Sequence, residues 1–176
     1  NTIFDQMIAT ILIVGAGQLG SRYLQGLVAC SEELNIFVQD ISEQSLQVAK
    51  QRWEQVKNPE PVTQHKVTFL SKLENLPRQI DVAVVATNAN VRAQVVKQIV
   101  EICDVRYWIL EKILAQSEAG LEDILSLTRN SAGVWVNTSR RMMEWQKHIC
   151  ESLPKGVPLF VRRRGSSLGL ACNGIH

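Results

Sequence analysis

The chain has 176 residues, of which 45% are hydrophobic and 20% charged, and its formal net charge is +2. This length fits one domain of roughly 100–200 residues, or one domain and part of another, and the composition excludes disordered and collagen-like proteins. The small net charge argues against general nucleic-acid binding, and no apolar run in the sequence approaches the roughly 18 residues that cross a membrane, so neither partner is expected.

Strand-like and helix-like segments alternate along most of the chain. The predicted strands are 11–14, 35–39, 67–70, 81–86, 107–110 and 134–136, and the predicted helices are 18–30, 42–57, 90–103, 117–129 and 141–153. Strict alternation predicts an α/β fold of the Rossmann type, a doubly wound parallel sheet with helices on both faces. The tryptophans lie within predicted elements and are expected in the core: Trp53, Trp108, Trp135 and Trp145.

The pattern changes after Pro158. The short apolar run 159–161 is followed by three arginines, and no helical segment precedes the next apolar run, 168–172. The two runs are typical of strands that belong to a different sheet. We therefore expect a Rossmann-type domain over 1–153 and the first strands of a second α/β domain over 154–176.

A glycine motif, G-x-G-x-x-G, connects the first predicted strand to the first predicted helix. In this context Gly15 permits the tight turn, Gly17 lets a pyrophosphate approach the backbone, and Gly20 lets the helix pack closely on the strand. The helix N-terminus presents the backbone N–H groups of Gln18 and Leu19 to the phosphates. The motif therefore predicts a dinucleotide site.

Asp40 ends the second predicted strand, at the place where a carboxylate accepts hydrogen bonds from the adenine ribose hydroxyls. Because its charge repels a 2′-phosphate, NAD is favoured over NADP as the cofactor. The alternative is that Asp40 only caps the helix that follows it.

Polar side chains also follow the fourth predicted strand. In an open parallel sheet, ligands bind beyond the carboxyl ends of the strands, so we expect Thr87, Asn88 and Asn90 to face the cofactor. Asn88 or Asn90 can also cap the next helix, and the two roles are compatible.

The cysteines and histidines carry no pattern of paired or metal-binding residues. The cysteines are widely spaced, without a C-x-x-C pair, which indicates free thiols in a reducing, cytoplasmic compartment: Cys30, Cys103, Cys150 and Cys172. The histidines lack the spacing of metal ligands, so no metal is expected: His65, His148 and His176.

The run 108–112, Trp-Ile-Leu-Glu-Lys, resembles the strand-end E-K-P motif of the Gfo/Idh/MocA family, which is named for glucose–fructose oxidoreductase and inositol dehydrogenase. The glycine motif, Asp40 and Thr87 precede this run in the family's order. Downstream, 136–141 resembles the family's arginine-containing loop, and 169–176 resembles its D-x-G-x-H segment.

The resemblance covers essentially the whole chain and implies an NAD(P)-dependent dehydrogenase or reductase. It implies hydride transfer between nicotinamide and a hydroxyl or carbonyl carbon of a sugar- or cyclitol-like small molecule, and a homo-oligomer for the full-length protein. Because the family's second domain is comparable in size to its first, the chain, which stops at His176, is expected to be a fragment.

The resemblance also implies roles for single residues. Lys112 and His176 are implied as the catalytic pair, and Glu111 is implied to lie at the cofactor. A lysine at the carboxyl end of a central strand can orient a substrate hydroxyl and stabilise an alkoxide, and an imidazole can move the proton. A surface ion pair between Lys112 and Glu111 is the alternative, which the opposite faces of adjacent strand residues disfavour.

Arg140 and Arg141 are implied to bind the substrate, because a guanidinium grips a carboxylate or phosphate through two bonds; a solvated charged face is the alternative. Asn173 is the nearest polar substitute for the motif aspartate, whose position Cys172 takes.

Two further residues depart from the family pattern. Ile113 replaces a proline whose peptide bond is often cis, so a different loop geometry is expected there, and Arg92 stands where many members carry histidine. These departures leave two other functions open: a non-catalytic NAD-binding sensor, and another class of Rossmann reductase that acts on an imine or amino acid.

Overall fold

The computed structural model of the chain describes residues 8–56, 64–138 and 143–154, together with Gly156, Pro158 and Phe160. The chain divides into two compact units, Asn1–Asn137 and Thr138–His176. The predicted boundary at 153 therefore falls inside the second unit.

The first unit contains strands β1 (Ala9–Val14), β2 (Leu34–Gln39), β3 (Lys66–Leu70), β4 (Gln79–Val85), β5 (Asp104–Glu111) and β6 (Gly133–Asn137). Its helices are α1 (Gln18–Leu27), α2 (Glu43–Val56), α3 (Ala89–Ile102) and α4 (Glu118–Thr128), and the second unit contains α5 (Glu144–Ser152). The predicted order of elements is confirmed, and the largest extension is that of β5, which begins at Asp104 rather than at 107.

The six strands form one parallel sheet in the order β3-β2-β1-β4-β5-β6. β2 and β3 lie in sequence order on one side of β1. β4 lies on the other side of β1, and β5 and β6 follow it toward the opposite edge. The strand order therefore reverses between β1 and β4, where Val14 pairs with Val85 at the carboxyl ends. This order confirms the predicted Rossmann-type fold, whose ligand crevice lies at that reversal.

Two apolar clusters cover the two faces of the sheet. Successive residues of β1 contribute side chains to opposite faces. Leu12 packs in a cluster with residues of α3 and α4, and Ile13 packs in a cluster with residues of α1 and α2. Each fully buried Leu or Ile side chain stabilises the fold by about 1.5–3 kcal/mol. Both faces of the central strands are therefore covered, as a parallel sheet requires.

The four tryptophans divide into two buried and two exposed residues. Trp53 and Trp108 lie in the core as predicted, but the prediction is wrong for Trp135 and Trp145, which are 56% and 57% exposed. Trp135 lies on β6, the edge strand, where the ring of Tyr107 packs against it at 5.8 Å. Trp145 lies on α5, which buries none of its residues.

Among the described residues, no helix combines the length and the apolar character that crossing a bilayer requires.

The three cysteines in the described part of the chain, Cys30, Cys103 and Cys150, are free thiols, and burial raises the pKa of Cys103. Cys172 lies outside the described residues.

Candidate functional site

The turn between β1 and α1 explains why the motif needs each of its glycines. Gly15 has a φ of +94°, a conformation that side chains other than glycine's rarely adopt. A Cβ at Gly20 would lie 1.7 Å from the Gly15 carbonyl oxygen, so packing requires glycine there as well. A Cβ at Gly17, by contrast, would meet no protein atom within 4 Å. The fold itself therefore does not require glycine at Gly17, whereas close approach of a ligand would.

The N-terminus of α1, where the first backbone N–H groups have no partner within the helix, lies at this same turn. Gly17 is the N-cap and supplies no side-chain acceptor, and the first turn of α1 contains no acidic residue. The N–H groups at Gln18 and Leu19 thus keep the positive end of the helix dipole available to an anion.

Asp40 braces the glycine turn from the end of β2. One carboxylate oxygen, Oδ2, accepts a hydrogen bond from the backbone N–H of Ala16 at 2.6 Å, and the other, Oδ1, accepts from Ser42 N–H at 2.8 Å. The Ser42 side chain accepts from Ser45 N–H at 3.2 Å, so Ser42 rather than Asp40 caps α2. A carboxylate has about four acceptor positions, and the described residues use two of those of Asp40.

The turn after β4 holds a buried hydroxyl with no partner. Ala86 N–H donates to the Val14 carbonyl at 2.8 Å, which joins the ends of β4 and β1. Thr87 Oγ1 is buried and makes no hydrogen bond within the described part of the chain, which costs about 1–3 kcal/mol unless a ligand satisfies it. Asn88 is the N-cap of α3 but makes no side-chain capping bond, and Asn90 lies inside the helix, so the capping alternative for Asn90 is wrong.

Glu111 lies at the end of β5 in a buried polar cluster, and it is 3% exposed. Its Oε1 accepts from the Tyr23 hydroxyl at 2.5 Å and from Asn137 Nδ2 at 2.7 Å, and Asn137 also donates to the Tyr23 hydroxyl. Burial, and then Glu111, raise the pKa of Tyr23, so its hydroxyl stays protonated and donates. The cluster links α1, β5 and β6 at the carboxyl end of the sheet.

Sequence reasoning missed Tyr23 and Asn137 as partners of Glu111. The available signals were local: a residue with a polar tip on the inward side of α1, and an asparagine at a strand end. Neither signal identifies a partner, because the Tyr23–Glu111 contact joins residues 88 positions apart.

Lys112 follows β5 directly and is half-buried. The peptide bond between Lys112 and Ile113 is cis, so the expected difference from the family's proline is not found at this bond. Arg92 on α3 donates to the carbonyl oxygens of Ile113 and Leu114 in this loop, and to that of Thr87 in the turn after β4.

The structure gathers most of the predicted site residues at the carboxyl edge of the sheet. They lie at, or directly after, the ends of β1, β2, β4 and β5: Gly15, Gly17, Gln18, Leu19, Gly20, Asp40, Thr87, Asn88, Asn90, Glu111 and Lys112. The other four predicted residues lie outside the described residues: Arg140, Arg141, Asn173 and His176. Among the described residues, no group of three His, Cys, Asp or Glu side chains is arranged to hold a metal.

Residues 9–138 match a family model described as an oxidoreductase family with an NAD-binding Rossmann fold, GFO_IDH_MocA. Among solved structures, the chain is similar to myo-inositol dehydrogenase from Lactobacillus casei in complex with NAD(H) and myo-inositol. The identity is 18% and the TM-score 0.64, over 82% of this chain and 41% of that one.

Two other solved structures are similar. They are myo-inositol 2-dehydrogenase from Lactobacillus plantarum, with 14% identity, a TM-score of 0.60 and coverage of 82% and 41%, and UDP-N-acetylglucosamine 3-dehydrogenase from Acidithiobacillus ferrooxidans, with 14% identity, a TM-score of 0.61 and coverage of 83% and 43%. Among curated proteins, no sequence matches the chain. The chain thus spans about 41% of the first of these solved relatives, and at these identities the likeness shows the fold.

Proposed function

The chain belongs to the Gfo/Idh/MocA oxidoreductase family, and on this premise we propose that it transfers hydride between nicotinamide and a hydroxyl or carbonyl carbon of a sugar- or cyclitol-like molecule. The predicted family, Rossmann-type fold and NAD cofactor are confirmed. The observation that carries the proposal is Gly17, which the packing of the protein leaves open at the N-terminus of α1, beside the Asp40 carboxylate.

The described residues fit a dinucleotide. Backbone N–H groups at Gln18 and Leu19 would bind its phosphates, and Asp40 would accept from the adenine ribose. The buried Thr87 hydroxyl, which has no partner in the described part of the chain, would bind the half that extends across β4. When bound, NAD supplies a nicotinamide ring that accepts or returns a hydride.

Lys112 would act on the substrate oxygen. Its ammonium, at the carboxyl end of β5, would donate a hydrogen bond to a substrate hydroxyl and stabilise negative charge on that oxygen. His176 would move the proton at the same oxygen, and Arg140, Arg141 and Asn173 would hold the substrate. The roles of all five residues stay predictions.

The substrate class has support from proteins of the same fold. One is described with myo-inositol bound, and another is named for a nucleotide sugar. A cytoplasmic location and a homo-oligomer remain predictions; free thiols at Cys30, Cys103 and Cys150 are consistent with the first.

Removing the Lys112 ammonium is expected to separate an enzyme from a sensor. In the full chain, Lys112→Ala should lower turnover by about 10²–10⁴-fold, the usual contribution of a positioned acid–base group, while changing the NADH affinity by less than about threefold. Turnover is measured by NADH absorbance against inositols and nucleotide sugars. Lys97→Ala, on the exposed side of α3, is the matched control. A wild type that binds NADH but reduces or oxidises none of these substrates would favour the sensor.

The charge of Asp40 is expected to set the preference for NADH over NADPH. In Asp40→Asn an amide NH₂ replaces one of the two carboxylate oxygens, each of which now accepts a backbone N–H group. NADH binding should therefore weaken about tenfold, and the preference for NADH over NADPH should narrow. Both affinities are measured by calorimetry. Asp81→Asn is the control, because Asp81 accepts from Thr10 N–H at the amino end of β1, away from the glycine turn. If the ratio of NADH affinity to NADPH affinity were the same in the wild type and in Asp40→Asn, the Asp40 charge would not set the preference.

A further inference from the structure

Arg92 is a charged residue placed in the interior. It lies on α3 and is 1% exposed, among the largest fully buried side chains of the described chain. A guanidinium keeps its charge, and burying a charge costs several kcal/mol unless hydrogen bonds compensate for lost hydration. Burial lowers the pKa of Arg92, and the nearby charge of Glu111 acts in the opposite direction.

The compensation comes from backbone carbonyls. Nη2 donates to the Thr87 carbonyl, and Nη1 donates to the carbonyls of Ile113 and Leu114, the latter at 3.0 Å. Within the described ranges no carboxylate forms an ion pair with Arg92. Within the described part of the chain, the hydrogen bonds of the Arg92 side chain therefore all go to two turns, and its buried Nε–H has no partner there.

These two turns flank one side of the ligand crevice. β4 and β5 are adjacent and parallel, with Val85 paired to Leu110, so the turns after them leave the same edge of the sheet. Because the guanidinium is planar and rigid, its three bonds fix the distance between the turns. We call these three hydrogen bonds of Arg92 the clamp. Lys112 directly precedes Ile113, so the clamp sets the backbone position of Lys112.

We infer that Arg92 is a positioning residue, which holds the Lys112 loop against the Thr87 turn and so shapes the part of the crevice that receives the nicotinamide half of the dinucleotide. The inference rests on the proposed function. The effect of Arg92 should be confined to the nicotinamide half of the dinucleotide. The glycine turn and Asp40 follow β1 and β2, on the other side of the strand reversal. Arginine suits this task better than histidine, since an imidazole has at most two donors for three carbonyls.

Two ligands separate this role from a general structural one. ADP-ribose contains the adenine, both riboses and the pyrophosphate, and it lacks only the nicotinamide. In the full chain, Arg92→Gln should weaken NADH binding about tenfold and ADP-ribose binding less than about twofold, as measured by calorimetry. Equal losses for both ligands, or no loss for either, would overturn the inference. Arg52→Gln is the matched control: Arg52 donates to Ser21 Oγ beside the glycine turn, so it should leave the ratio of the two affinities unchanged.

A second measurement needs no ligand and compares the wild type with Arg92→Gln and Arg92→Lys. Arg92→Lys keeps the positive charge but loses the planar set of guanidinium donors. The Lys112 amine is acylated with a limiting reagent, and its rate is compared by mass spectrometry with that of Lys97 in the same sample. We expect the ratio to change about threefold or more in both variants, because the Lys112 loop has moved. An unchanged ratio would overturn the inference. A wild type that binds neither NADH nor ADP-ribose would instead refute the proposed function, and the acylation ratio would still test the clamp.

Discussion

Gly17→Ala is expected to weaken NADH binding roughly 10- to 100-fold without harming the fold. The added methyl group would meet no protein atom within 4 Å, so it would point to where the phosphates approach the turn. Pushing a phosphate away from the N–H groups of Gln18 and Leu19 loses charge-assisted bonds worth about 1.5–3 kcal/mol each. Alanine adopts the Gly17 backbone angles, φ −64° and ψ −158°, so stability should be unchanged or rise by about 0.4–1 kcal/mol.

Calorimetric titration and urea unfolding measure the two halves of this expectation on the same variant. Gly26→Ala is the control, because Gly26 lies on the same helix and its Cβ would also meet no atom within 4 Å. It should leave NADH affinity unchanged. If Gly17→Ala bound NADH like the wild type, the phosphates would not lie at this turn.

Gly20→Ala should have the opposite signature, a large loss of stability. Its Cβ would lie 1.7 Å from the Gly15 carbonyl oxygen and 2.9 Å from the carbonyl carbon, so the backbone of the turn must move. Gly15 has little room to move, since a Cβ there would already lie 3.0 Å from the Ala86 carbonyl carbon. We expect the free energy of unfolding to fall by about 3 kcal/mol or more, at or above the upper end for overpacking.

Urea unfolding checks this value against Gly26→Ala, where alanine at a helix interior should raise the free energy of unfolding by up to about 1 kcal/mol. A Gly20→Ala protein within about 1 kcal/mol of the wild type would mean that the turn adjusts to the methyl group, and that glycine is not required there for packing. Gly17 and Gly20 thus belong to one motif for different reasons: one admits the ligand, and the other closes the helix onto the strand.

The parts of the site that lie in one continuous segment were predictable. The glycine turn and the position of Asp40 at the end of β2 depend on residues next to one another, and the structure places them as expected. The function of Asp40 as a brace was not predictable, because its bond to Ala16 N–H spans 24 positions.

The parts that depend on distant contacts were not predictable. Glu111 was expected at the cofactor, and the structure shows its carboxylate held by Tyr23 and Asn137. Arg92 was noted only as a departure from a family pattern, although it joins two turns of the site. A buried polar group forms hydrogen bonds with the groups that the fold places beside it. The residues next to Arg92 in the sequence therefore do not indicate which three carbonyls it binds.

The sequence by itself determined the order of strands and helices and the parallel sheet, and it predicted a dinucleotide site at the turn after β1, because hydrophobic periodicity and glycine conformation are local properties. Only the tertiary structure decided which tryptophans are covered and which polar side chains meet at the carboxyl edge of the sheet. Trp108 and Trp135 both lie within strands, yet one is buried and the other 56% exposed. Trp108 packs in the apolar cluster that contains residues of α3 and α4, whereas Trp135 lies on β6, an edge strand with no buried residue. Burial and hydrogen-bond partners depend on what packs against a residue, and that is settled only when the chain has folded.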